Sequence, residues 1–482
     1  MISLVDELLT KFLKLMSKDI TASDLALIPL GRSLGLDLIS FAKLRASQEE
    51  DCVDEIRKNA LEKLAKHNHT YFSTNGSFFA GSIDFMVGDS PYGKKIFLLE
   101  ANGGSNRGLS ILTKKQQTLM YDGYFESINQ AIEKSDNESE KILVLIGVPV
   151  NDALIHEKVI MVEHFRKKIK SLGLKLKIFN SDTYDESYVA RIVFLIADYA
   201  HLSEALSFTD GEIRYSSERV SVLIGDGIAR RINDENFSNQ IREDYRQINS
   251  AIVNPIFKIT DDKFLTYLAS HLIKNQLEKY NLKSLVFAKA FNEMDLIEKL
   301  ASVIKTFKKS FMIKPSGGSG GAGVIQILKN DNAMEIKKKI ELSKKEFYAK
   351  FSSKRNPFPY TIQEKVEFSL INWEGYKHTF DMRLYFALNK SQIIPIGGLA
   401  RIARGRYLNG LNKEEFVVNL SGYDGRIEVN RGIGLSEENF KFLNLSYADF
   451  TNFFCIGALI FKSMIENYNN IIQFSDWSSY FS

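Results

Sequence analysis

Residues 311–327, FMIKPSGGSGGAGVIQI, limit what this chain can fold into more than any other stretch. An apolar run carries Lys314 and ends at Pro315. Gly317, Gly318, Gly320, Gly321 and Gly323 follow before apolar residues resume at Val324. Glycine reaches positive φ at no steric cost and leaves room for a backbone to close over a bulky anion. Exposed amides beside a lysine suit a nucleotide triphosphate. Gly/Ser runs also serve as plain linkers or long hairpin turns, and the stretch alone leaves both readings open. Its spacing does exclude two familiar phosphate loops, because no Gly-Lys-Ser/Thr follows the glycines and no G-x-G-x-x-G opens a helix. The layout is strand, glycine loop, strand.

The surrounding chain has 482 residues, 44% of them hydrophobic, enough for roughly two to four domains. A net charge of +4, evenly spread, argues against a nucleic-acid or anionic-membrane partner. Cys52 and Cys455 are the only cysteines, which fits a reducing compartment and excludes a disulfide framework or a cysteine zinc site. Residues 1–16 read as an amphipathic helix rather than a signal peptide, since Asp6 and Glu7 interrupt the apolar stripe. The longest charge-free apolar runs fall short of a membrane span. Composition therefore points to a cytoplasmic protein.

In chain order, residues 47–67 have helical periodicity, and His67 and His69 at its end lack partners at metal-ligand spacing. Residues 81–87 and 94–100 read as strands joined by the turn GDSPYG. Asp84, Glu100 and Asn102 on this hairpin are oxygen donors of the kind that suits Mg²⁺ on phosphates. The plainer reading is an acidic sheet edge. Polar residues 129–141 mark a linker or helix end. Apolar runs at 142–148, 174–179, 192–197 and 220–224, with a helical pattern at 158–172, predict a small parallel α/β unit without a dinucleotide fingerprint. A helix follows, with Thr260 or Asp261 as its cap and Lys263 in its first turn. Residues 360–366 form a short strand, and alternation at 379–388 places Asp381 and Arg383 on one face. Residues 393–402 return as a strand carrying Arg401, with Arg404 just beyond. Residues 446–468 end the chain as a largely buried helix.

Taken in order, DDK (261–263), MIKPSGGSGGAGV, IQEKV, FDMRLYFAL, GGLARIA and FVVN (416–419) resemble the ATP-grasp superfamily. That family's magnesium hairpin, an Asp followed by Glu-x-Asn on the next strand, ordinarily comes after the final helix. Here its match is Asp84 with Glu100-Ala101-Asn102, so the chain resembles a circularly permuted ATP-grasp protein. FDMRLYFAL also resembles tubulin-tyrosine-ligase-like enzymes. Glu428-Val429-Asn430 competes for the metal motif but follows Asn419 too soon to leave room for a helix and a first strand.

The resemblance implies an α+β fold with two subdomains clasping ATP and a small parallel α/β domain ahead of them. The expected division is 1–137 (helical region plus permuted hairpin), 138–258 (α/β) and 259–482 (nucleotide-binding). It implies an ATP-dependent carboxylate-amine ligase working through an acyl phosphate, with small-molecule or peptide substrates. Lys263 and Lys314 would hold phosphates under the glycine loop. Gln363, Glu364, Lys365 and Val366 would line adenine, with Glu364 or Glu367 at the sugar. Arg383 would neutralise transferring phosphate, helped by Arg401, Arg404 and Asn419. Asp84, Glu100 and Asn102 would hold Mg²⁺, and Asn106 and Arg107 would grip a carboxylate. A catalytically idle nucleotide-binding scaffold and a phosphotransferase using the same site are the alternatives.

Overall fold

A computed structural model describes residues 48–66, 78–91, 93–103, 108–109, 112–135, 140–148, 155–225, 245–318, 320–351, 355–418, 431–474 and 480–481. The expectations for residues 1–16, His67, His69, Asn106, Arg107, Asn419, Glu428 and Asn430 lie outside these. Helix α1 (Glu50–Lys66) buries Val53, Ile56, Ala60 and Leu64, the stripe its periodicity predicts. The hairpin is β1 (Ala80–Ser90) and β2 (Gly93–Asn102). Helix α2 (Lys114–Lys134) is capped by Thr113, whose hydroxyl accepts from Gln116 N at 3.2 Å. Residues 129–134, read as linker or helix end, are its last turns.

The α/β unit contains β3 (Ile142–Val148), α3 (Ile155–Ser171), β4 (Leu176–Asn180), β5 (Ile192–Asp198), β6 (Leu206–Thr209), β7 (Glu212–Tyr215), β8 (Glu218–Ile224) and β9 (Ala251–Val253). Strands β4, β5, β3 and β8 run parallel in that order, with β9 parallel to β8 and with β7 and β6 added antiparallel. Every residue of β3 is buried, as a continuous apolar run at the middle of a parallel sheet should be.

The second sheet is antiparallel and five-stranded: β10 (Phe287–Ala290), β11 (Phe311–Pro315), β12 (Ile325–Ile327), β13 (Tyr360–Glu364) and β18 (Tyr480–Phe481), in the order β12-β11-β13-β10-β18. Its Ala288, Ile313 and Ile362 face packs on helices α5 (Glu293–Phe307) and α6 (Ala333–Lys350) through Leu296, Leu300, Ile336 and Ile340. Helix α4 (Lys263–Leu272) lies on the opposite face, where Phe287 meets Phe264 and Tyr267. Its cap is Asp262, which accepts from Phe264 N at 2.9 Å, rather than the expected Thr260 or Asp261. Those two residues belong to a separate short helix, Phe257–Asp261.

The third sheet joins an early and a late part of the chain. Strands β14 (Leu370–Trp373), β15 (Tyr376–Asn389), β16 (Gln392–Ile402) and β17 (Gly432–Gly434) are completed by the early hairpin, in the order β17-β16-β15-β1-β2, with β14 beside β15. Strand β1 pairs antiparallel with β15, putting Asp84 opposite Arg383 and Ser82 opposite Tyr385. One face, with Ile83, Phe85, Leu384 and Phe386, is covered by helix α7 (Tyr447–Glu466). A Cβ at Gly457 would sit 2.1 Å from the Phe386 ring, so this glycine lets helix and sheet approach closely. Helix α7 is long and apolar enough to cross a membrane, but 78% of its apolar window is buried inside the protein, where it forms the core. Cys455 on this helix and Cys52 on α1 are both buried and free.

Candidate functional site

The face of the third sheet away from α7 is an ordered grid, because residues two apart on a strand point the same way. In one row Arg401 and Asp381 are register partners on β16 and β15. In the next, Leu399, Arg383, Asp84 and Glu100 line up across β16, β15, β1 and β2. In a third, Gly397, Tyr385, Ser82 and Asn102 do the same. Neighbouring rows are about 7 Å apart, two strand residues.

Four of these side chains close on one another. Arg383 donates to Asp84 through Nε (2.7 Å) and Nη2 (2.6 Å), a two-point clamp. Arg401 donates through Nε to Asp381 (2.7 Å) and through Nη2 to both Asp381 (2.5 Å) and Asp84 (2.8 Å). Asp84 is 0% exposed and Asp381 1%, so water screens little of this attraction. Burial alone would push the Asp84 carboxyl up, but the two guanidiniums outweigh it and hold it well below the usual range. Burial pushes Asp381 the other way, with Arg401 only partly offsetting it. Arg401, which could have been a surface charge, is thus a buried member of the network. Arg404 is half-buried past the end of β16.

The lysines come from the five-stranded sheet and from α4. Lys314 on β11 is buried, and Nζ donates to the Tyr267 hydroxyl (3.0 Å) and to Gln363 Oε1, both uncharged. Burial, reinforced by nearby Lys263 and opposed by Glu100, lowers its ammonium to about 7. The Tyr267 oxygen lies 2.6 Å from both the Leu99 carbonyl and Gln363 Oε1, linking β11 and β13 to the hairpin. Lys263 Nζ stands 3.4 Å from Glu100 Oε2, joining α4 to the hairpin. A third lysine, Lys289 on β10, is missing from the sequence reading. It shares a register row with Thr361 and Lys314 and donates to Asp262 Oδ2 at 2.7 Å. A lysine inside the short apolar strand FAKA was the signal for it.

The glycine loop has positive φ at Gly317, Gly320, Gly321 and Gly323. A Cβ at Gly321 would meet Val417 at 2.5 Å, and one at Gly323 would meet Pro315 at 2.8 Å. Beside the loop, Glu415 accepts from the backbone N–H of Leu408 (2.7 Å), Asn409 (3.1 Å), Gly410 (2.8 Å) and Asn412 (3.2 Å). Val366 is buried with Met86 and Leu285 in a small apolar cluster that also includes Phe97 and Leu99. Glu364 is tied to Lys309 (2.6 Å) and Val286 N (3.2 Å), and Glu367 is exposed. Lys365 reaches the Gly410 carbonyl at 3.4 Å.

As oxygen donors, Glu100, Asn102 and Asp84 suit a magnesium ion, and they share one face of the hairpin. Asp84 is committed to both arginines, and among the described residues no group of three His, Cys, Asp or Glu stands close enough to hold a metal unaided. Glu100, which faces Lys263, and Asn102 are the donors that could hold such an ion, with Asp84 joining only if an arginine contact is exchanged.

Ser82 and Gln116 were not singled out from sequence. Among the described residues, Ser82 Oγ, Asn102 Nδ2 and both amide atoms of Gln116 are buried without a hydrogen-bond partner. Such atoms cost about 1–3 kcal/mol per group.

No family model matches the chain, and no curated protein does. Among solved structures, a glutathione synthetase-like effector from Globodera pallida, in its apo form, matches with a TM-score of 0.36 and 11% identity. The match covers 76% of this chain and 82% of that one. So slight a likeness carries no conclusion about activity.

Proposed function

We propose that the protein is an ATP-dependent carboxylate-amine ligase with a circularly permuted ATP-grasp architecture. The observation that carries this reading is the meeting of two sheets. The hairpin bearing Glu100 and Asn102 pairs with the strand bearing Arg383, and from the other side Lys263 reaches Glu100 while Lys314 is tied to the hairpin through Tyr267. Positioning and charge neutralisation are the main work of phosphoryl transfer, and this face concentrates cations for it.

The Met86, Leu285 and Val366 cluster would take adenine, next to the backbone of residues 363–366. Lys263, Lys314 and Lys289 would bind phosphate oxygens beneath the glycine loop. Magnesium held by Glu100 and Asn102 would supply charge neutralisation at the terminal phosphates. Arg383 would orient and neutralise the transferring group, while Arg401 fixes Asp84 and Asp381 so that Arg383 keeps its direction. The carboxylate oxygen attacks the γ-phosphorus and ADP leaves; an amine then attacks the acyl carbon, phosphate leaves, and the amine gives up a proton.

The test is ADP and phosphate release with Mg²⁺-ATP over a panel of amino acids and short peptides, with product masses recorded. Amide products with ADP, lost in Lys314→Ala and Glu100→Ala variants that stay folded, are expected. Full turnover in both variants sinks the reading. The second reading, a catalytically idle nucleotide-binding scaffold, is favoured by the enclosure of Asp84 between two arginines. It predicts ATP binding without turnover on any pair.

A further inference from the structure

Tyr267 has no part in the reaction scheme above, yet it stands where the two halves of the site meet. It lies four residues after Lys263 on α4, so the two side chains leave the same side of the helix. Lys263 Nζ faces Glu100 Oε2 at 3.4 Å, and the Tyr267 hydroxyl reaches the carbonyl of the preceding residue, Leu99, at 2.6 Å. Toward the five-stranded sheet the same oxygen accepts from Lys314 Nζ at 3.0 Å and lies 2.6 Å from Gln363 Oε1. Tyr267, Lys314 and Gln363 are all buried, so water does not compete for these contacts.

Leu99 is where β2 departs from regular pairing. Asp84 and Phe85 are consecutive on β1, but their partners are Glu100 and Leu98, so Leu99 is an extra residue on β2. Such a bulge takes one residue out of the ladder, bends the strand and re-aims the side chain beside it. Here the side chain beside it is Glu100, in the row of Asp84 and Arg383. A buried hydroxyl on the bulge carbonyl holds that bend, and with it the direction of Glu100.

The phenol has one proton for two acceptor oxygens, each 2.6 Å away. The Lys314 ammonium settles that competition. It donates to the Tyr267 oxygen and to Gln363 Oε1, which leaves the hydroxyl proton for the Leu99 carbonyl. Among the described residues two of its three protons are thereby used, and the third is left for a phosphate oxygen. Without the ammonium, Gln363 Oε1 would draw the hydroxyl proton and release the Leu99 carbonyl. We propose that Tyr267 is a positioning residue that couples the phosphate-binding Lys314 to the metal-bearing hairpin, holding the Leu99 bulge and so aiming Glu100. Mg²⁺ and the polyphosphate of a nucleotide then bind cooperatively, because each finds its partner groups at a distance that Tyr267 has set.

This coupling rests on the nucleotide-binding part of the ligase reading. The test is calorimetric titration of the full chain with ATP, in excess Mg²⁺ and in EDTA, for the wild type and for Tyr267→Phe. In the wild type Mg²⁺ should tighten ATP by roughly tenfold or more, the ordinary scale of coupling between two sites. In Tyr267→Phe that gain should fall to roughly twofold, while Mg²⁺-free affinity stays within about threefold of the wild type. A hydroxyl that served packing alone would lower Tm and weaken both forms of ATP alike. A Mg²⁺ gain unchanged in Tyr267→Phe, or absent in the wild type, therefore overturns the coupling and leaves nucleotide binding standing. No ATP affinity in the wild type, with or without metal, overturns the ligase reading and the coupling together. Where Tyr267→Phe does not fold, deuterium exchange of the ligand-free Lys314→Met variant decides. Its β2 amides from Phe97 to Asn102 should exchange roughly threefold faster than in the wild type, since the released Leu99 carbonyl loosens the strand. Equal exchange in the two proteins overturns the coupling.

Discussion

The two charged faces that meet at this site solve opposite problems. On the hairpin-completed sheet, Asp84, Arg383, Arg401 and Asp381 neutralise one another through five short hydrogen bonds and leave no charge unmatched. On the five-stranded sheet Lys314 is equally deep, but among the described residues its ammonium hydrogen-bonds a hydroxyl and an amide oxygen rather than a carboxylate. The first face holds a shape. The second is short of negative charge, and that shortage is what an incoming phosphate would relieve.

Breaking the closed network should cost most. Asp84→Asn strips two buried guanidiniums of their shared carboxylate, and loss of one partner of a buried pair costs about 3–5 kcal/mol. Urea unfolding should show it as a lower midpoint with unchanged slope. Lys314→Met should do the reverse, leaving stability equal or higher, because a poorly matched buried charge is replaced by an apolar chain of similar length. Its cost should appear in Mg²⁺-ATP affinity, a loss of about 1.5–3 kcal/mol, or roughly 10- to 150-fold, by calorimetry. Equal stability losses in both variants would erase the contrast between the faces.

The pH dependence sharpens the same point. Lys314 is lowered to about 7 in the folded chain from an ordinary 10.5, so between those values the unfolded chain binds more protons. Its contribution to stability should therefore rise with pH from about 7 to about 10.5 and be flat outside that window. Mg²⁺-ATP binding at pH 8 should take up protons, seen as a buffer-dependent heat, and Lys314→Met should abolish that dependence. The smallest effect expected is for Lys289→Met, which leaves Asp262 without its ammonium partner. About 1 kcal/mol of stability and a few-fold in nucleotide affinity should be lost, by the same two measurements.

Much of this was legible in the sequence where a local rule decides the outcome. Alternation placed Asp381 and Arg383 on one face, and the glycine run after Lys314 marked the loop between β11 and β12. What escaped depended on register between distant strands. Asp381 and Arg383 share a face but do not pair; Arg383 turns to Asp84 on β1, and Asp381 takes Arg401. No periodicity shows that Arg401 is buried in a charged network, because its second carboxylate, Asp84, is on a hairpin some 300 residues earlier. The cap of α4 was missed by one residue, since a short helix ends at Asp261 immediately before it. Gln116 reads as an ordinary first-turn helix residue, and only the tertiary fold sets its amide against Gly397.

The pairing of β1 with β15 also bears on how the chain is made. The hairpin leaves the ribosome nearly three hundred residues before the strand that completes its sheet. At about 5–20 residues per second, it spends roughly 15–60 seconds with one edge open. Over that interval Ile83, Phe85 and Val87 have no α7 to cover them. Synthesis therefore exposes an apolar strand edge that the finished molecule hides, and the nascent chain is most vulnerable to association with its own copies until β15 emerges.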